Sequence, residues 1–142
     1  MRLTVYRDLG NPGGSLTWGI RKDGYWWCNF AKYGKDNGRT FLAQYNNEWK
    51  ETRRWTYPPA LIKQLGRGSV SGGTWQGNEL WVSGHDDPVL FRLGLPKEGT
   101  KLVYFGKIQI PFTGQGFATD PKTGGLVGIN RANKEVIFYQ SN

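Results

Sequence analysis

The residues that first suggest chemistry are His85-Asp86-Asp87, where the chain's single histidine adjoins two carboxylates. Such a set could hold a divalent cation or act as a general base with an orienting acid. Successive residues of a strand point to opposite faces, however, which places His85 and Asp86 poorly for gripping one ion. The preferred reading is a turn in which Asp86 or Asp87 caps the reversal before Pro88. One histidine also excludes a His-rich zinc site within the chain. Oxygen ligands suit a harder ion, so Asp86 and Asn130, with Asp120 and backbone carbonyls, are candidates for Ca2+ or another divalent ion, although their spacing is not diagnostic. Ser69, Ser71 and Ser83 lie near His85 in sequence, but no nucleophile-elbow pattern accompanies them, and no catalytic residue is assigned.

Other residue types point to binding. Seven tryptophans offer faces on which sugars could stack, yet Trp18 and Trp75 recur at matching places in successive repeats, as packing residues do. Trp26 and Trp27 are consecutive and must face apart, and Trp26 is kept as a ligand candidate. The net charge of +8 admits an anionic partner, with Arg21, Lys22, Lys32, Lys35, Arg39, Arg53 and Arg54 available to phosphates. The basic residues are scattered, and no nucleic-acid module is recognisable, so nucleic acid is not the expected partner. Gly13-Gly14, Gly72-Gly73 and Gly124-Gly125 precede no helix and are turn or packing glycines rather than phosphate loops. Cys28, the only cysteine, sits in an aromatic strand and reads as a buried, inert thiol.

These residues must be positioned by β-structure. A chain of 142 residues supports one domain with a real core. Its 21 glycines, 15% aromatic content and short apolar runs broken by Gly, Asn, Asp and Pro indicate an all-β fold. No apolar run approaches the roughly 18 residues needed to cross a membrane, and no basic-apolar leader is visible. A cytoplasmic protein is expected, though a secreted one trimmed of its signal would read the same.

The strand pattern repeats. Residues 15–20 and 25–31 form a hairpin across Asp23-Gly24, and residues 40–45 and 49–57 form a second across Asn46-Asn47-Glu48, where an asparagine suits the positive φ of a tight turn. Residues 58–66 read as a short helical connector. A second set follows at 70–75, 79–85, 89–93 and 101–110, then a third at 115–119, 126–131 and 135–139, which is one strand short. Residues 2–9 alternate as a strand, and Pro12 follows them much as Pro58 and Pro111 follow the fourth strands of the first two sets. A period of four strands in roughly 45 to 50 residues is a β-propeller signature. The expected blades are about residues 15–58, 69–111 and 114–139, the last completed by strand 2–9. Three blades do not close a ring alone. The expectation is therefore a homodimer forming a six-bladed ring, each copy lending its N-terminal strand to its partner.

The run from Gly72 to Asp86, with Gly114-Gln115-Gly116-Phe117-Ala118-Thr119-Asp120 and Gly128-Ile129-Asn130-Arg131, resembles uncharacterised bacterial six-bladed propeller-like proteins and, more distantly, NHL and lactonase-like propellers. The resemblance covers most of residues 68–139 and supplies a fold but no transferable catalytic motif. Function is then expected on the loops that share one end of the channel. The ligand-binding candidates are His85, Asp86, Arg39, Tyr33, Gln115, Arg131 and Trp26. The expected role is that of a non-enzymatic binding or assembly propeller for a glycan-like or small anionic ligand. The alternatives are a metal-dependent lactonase or hydrolase, and an anionic-surface binder.

Overall fold

A computed structural model describes residues 1–4 and 6–140. The strands are β1 (Ser15–Lys22), β2 (Tyr25–Ala31), β3 (Phe41–Tyr45), β4 (Glu51–Thr56), β5 (Gly72–Gln76), β6 (Glu79–Ser83), β7 (Val89–Gly94), β8 (Val103–Gln109), β9 (Phe117–Thr119), β10 (Leu126–Asn130) and β11 (Glu135–Tyr139). A 3-10 turn at Gly34–Arg39 joins β2 to β3, and the helix α1 (Pro59–Gln64) joins β4 to β5. The protein is all-β: three small antiparallel sheets are ordered β1-β2-β3-β4, β5-β6-β7-β8 and β9-β10-β11, and none of them closes on itself. No helix among the described residues is long and apolar enough to cross a membrane.

Local chemistry accounts for most boundaries. Asp23 and Gly24 both take positive φ (53° and 81°), the geometry that lets a two-residue turn follow the twist of the β1–β2 hairpin. Pro58 and Pro59 start α1, whose short run ends at Gly66 in the left-handed region.

Two expectations change. In the β3–β4 turn the left-handed residue is Trp49 (φ 59°) and not an asparagine, so β4 begins at Glu51. Asn46 instead organises the turn by accepting from the Glu48 and Lys50 amides. The unfavourable backbone of Trp49 is offset by its ring, which stacks on Trp26 at 5.2 Å. Residues 2–4 and 6–9, expected as a strand, form none in the single chain; Val5 lies outside the described residues. Among the described residues no strand pairs with them, and without a paired edge their backbone has no ladder to join.

Period-2 alternation gives each sheet two faces, and consecutive sheets pack face to face. From the first sheet, Trp27, Leu42 and Trp55 meet Leu80, Val82, Phe91 and Leu93 of the second. The opposite face of the second sheet, through Leu90 and Trp81, meets Leu126 and Ile137 of the third around Phe112. Glycines allow the close approach: a Cβ on Gly73 would collide with the Trp18 ring, and one on Gly128 with Phe112. The first strands converge, β1 beside β5 and β5 beside β9. Between the first two sheets the fully buried Asn29 receives the Tyr57 hydroxyl (2.8 Å) and donates to Thr17 and the Val70 carbonyl. This satisfies a polar group that would otherwise oppose folding.

Candidate functional site

Because β1, β5 and β9 run side by side, the segments that lead into them share one end of the molecule with the β2–β3, β6–β7 and β10–β11 loops. Hydrogen bonds join these segments in series. Gly34 N–H donates to the Arg67 carbonyl at 2.9 Å, and the buried Asn37 amide donates to Gly66 and Gly68. Gly114 packs so closely on the Gly84 and His85 backbone that a Cβ would not fit. Turn chemistry and small residues thus draw the loops together.

The polar cluster at this end is Arg131–Gln115–His85. Arg131 Nη1 donates to Gln115 Oε1 at 3.1 Å. The Gln115 amide nitrogen lies 2.7 Å from His85 Nδ1 and 2.9 Å from Nε2, so whichever ring nitrogen carries no proton accepts from it. The guanidinium uses one of its five N–H groups here, which leaves the rest of its fork for a ligand. Beside it is a cavity of about 340 Å³ lined by Thr17, Ser71, Gln115, Gly116, Ile129 and Arg131. A second cavity, of about 270 Å³, is lined by Leu65, His85, Asp86 and Asp87 among others. His85 Nε2 is 3.7 Å from Asp86 Oδ1, and both side chains are exposed. The end as a whole mixes Lys32, Lys35, Arg39, Arg67 and Arg131 with Asp36, Asp86 and Asp87.

Of the expected site residues, His85, Gln115 and Arg131 form one hydrogen-bonded group, with Asp86 adjoining. Tyr33 and Arg39 flank the 3-10 turn at the same end, exposed and outside that group. Trp26 is elsewhere. It faces away from the second sheet, where its ring stacks on Trp49 beneath the Arg21 guanidinium at 5.1 Å. The candidate cation ligands are divided. Asn130 donates to Glu135, whereas Asp120 lies at the other end of β10 and accepts from Thr123 and the Lys122 amide. Those bonds hold the Asp120 carboxyl below its ordinary pKa. Among the described residues no three His, Cys, Asp or Glu side chains cluster as a metal site.

Thr17 and Ser71 were not anticipated as lining residues. The signal available in sequence was their place at the start of the first strands, one residue before Trp18 and Gly72. Cys28 is buried, and burial pushes its thiol up to about 11, which accords with an inert role. No protein-family model matches the chain, and no curated protein matches it significantly.

Proposed function

We propose that the chain is half of a six-bladed β-propeller, completed by a second copy, and that it binds a small polyhydroxylated acid of the sugar-acid type at one end of the ring axis. The observation that carries this reading is the Arg131–Gln115–His85 relay at the rim of the cavity shared with Thr17 and Ser71. A guanidinium fork suits a carboxylate, while the Gln115 amide and the Ser71 hydroxyl beside it suit sugar hydroxyls; Thr17 lines the same cavity with its own hydroxyl given to the Val70 carbonyl. The cavity volume falls within the range of small-ligand sites.

The test is a calorimetric titration with glucuronate, glucose and inorganic phosphate as probes. Glucuronate is expected to bind, and Arg131→Gln to weaken it by about tenfold or more, as loss of a charge-assisted hydrogen bond does. Equal binding of glucose and glucuronate would remove the role given to Arg131. Binding of phosphate alone, or of none of the three, would overturn the sugar-acid reading.

A further inference from the structure

The arm before β1 lies against the outer face of the first sheet, the face that turns away from the second. That face is apolar: Cys28, Phe30, Phe41, Ala43 and Tyr45 form a cluster, with Leu9, Trp26 and Trp49 packed against it. Tyr6 meets the edge of Trp49 at 6.4 Å. Between arm and sheet remains a cleft of about 610 Å³, lined by Tyr6, Leu9, Pro12, Leu16, Trp26 and Phe30 among others. Tyr6 and Leu3 remain 84% and 89% exposed, so the arm gains little burial from its own chain.

Comparison within the chain identifies what the arm is. Trp55, Ile108 and Leu9 each stand three residues before a proline, Pro58, Pro111 and Pro12. Trp55 belongs to the fourth strand of the first sheet and packs into the cluster shared with the second. Ile108 belongs to the fourth strand of the second sheet and packs into the cluster shared with the third. Leu9 packs in the same manner onto the first sheet, but the sheet to which it would belong is missing.

Among the described residues the third sheet has three strands, and β11 is an unpaired edge where the other sheets carry a fourth. Its outward face exposes Ile129, Val136 and Phe138, at 46%, 64% and 73%. The counterparts of Val136 are Leu42 and Leu90, each likewise the second residue of its third strand, and both are fully buried beneath the next sheet. An apolar face that is covered wherever its counterpart occurs, and an edge that is paired wherever its counterpart occurs, call for the same cover.

We infer that the arm is already seated as the fourth strand of the missing sheet, and that the third sheet of a second copy docks onto it. The β11 edge of that copy pairs with the arm, while its Ile129, Val136 and Phe138 enter the cleft over Trp26 and Phe30. The arrangement rests on the proposed ring and adds its seam and register. Trp55 pairs with Leu42 and Ile108 with Leu90. By the same rule Leu9 faces Val136, and Arg7 faces Phe138, of the second copy.

Directly opposed residues lie about 4.5–5.5 Å apart at Cα, which a disulfide can span. With Cys28 replaced by Ser so that no native thiol competes, a Leu9→Cys chain mixed with a Val136→Cys chain, or Arg7→Cys with Phe138→Cys, is expected to form a mixed disulfide under mild oxidation. Either chain alone, and a mixture of Leu9→Cys with Tyr139→Cys, should not. A mixture that is dimeric by light scattering yet forms neither matched disulfide would overturn the arm's register while leaving the ring standing. A mixture that stays monomeric throughout, with each chain folded by circular dichroism, would overturn both. The Arg131→Gln titration reports on ligand binding independently of either result.

Discussion

Asn29 and Ser83 hold equivalent places on the second strands of successive sheets, and their chemistry differs. Asn29 has a full set of partners through Thr17, Val70 and Tyr57, whereas the equally buried Ser83 hydroxyl has none among the described residues. Asn29→Ala removes the acceptor of the Tyr57 hydroxyl and one of the two donors to the Val70 carbonyl, which keeps Thr17, and should cost about 1–3 kcal/mol in urea unfolding. Ser83→Ala removes an unpaired polar atom and should change stability by less than about 0.5 kcal/mol. Neither outcome was legible in sequence, because the partners of Asn29 come from separate segments, Thr17, Tyr57 and Val70, that lie 12, 28 and 41 residues away in chain order. At the site, His85, Gln115 and Arg131 could be assigned to one end from strand direction alone. Their hydrogen bonding depends on how far each loop reaches inward, which alternation does not specify. Trp26 lies apart from them for a related reason: alternation separates it from Trp27 without saying which of the two faces the second sheet, and it is Trp27 that does.

At the scale of elements, the hairpins were readable where turn chemistry is local. Asp23-Gly24 and Gly77-Asn78 demand positive φ and have it at Asp23, Gly24 and Gly77. The turn before β4 was not, because a left-handed tryptophan is favoured only by the rings that receive it, Trp26 and Tyr45. Contacts between sheets rest on glycine for reasons equally invisible in sequence. Phe112 fills the space a side chain at position 128 would need, and Trp18 the space at position 73. Gly128→Ala should therefore destabilise the seat of the third sheet by about 1–3 kcal/mol, the usual range for overpacking. The expected readout is a lower unfolding midpoint and faster amide exchange in β9–β11. An unchanged midpoint would mean that the third sheet is not held by this contact.

For the molecule as a whole, the division into three antiparallel sheets was legible because strand periodicity and turn residues, with the prolines at 12, 58 and 111, set them apart. The sheet boundaries followed from it closely. The state of residues 2–4 and 6–9 could not follow, since a strand's existence depends on a partner edge, and among the described residues the third strand left without a fourth is β11 of the third sheet, while the arm lies on the first. Packing of the first sheet on the second, and of the second on the third, gives the rule by which the exposed third sheet and the arm-covered first sheet match each other. The proposed two-copy ring is tested most directly by the mass in solution. Light scattering over a concentration series should give twice the 16.1 kDa of one chain, and Phe138→Asp should return it to one chain without loss of β-structure. A mass of 16.1 kDa at every concentration, with the protein folded, would contradict it.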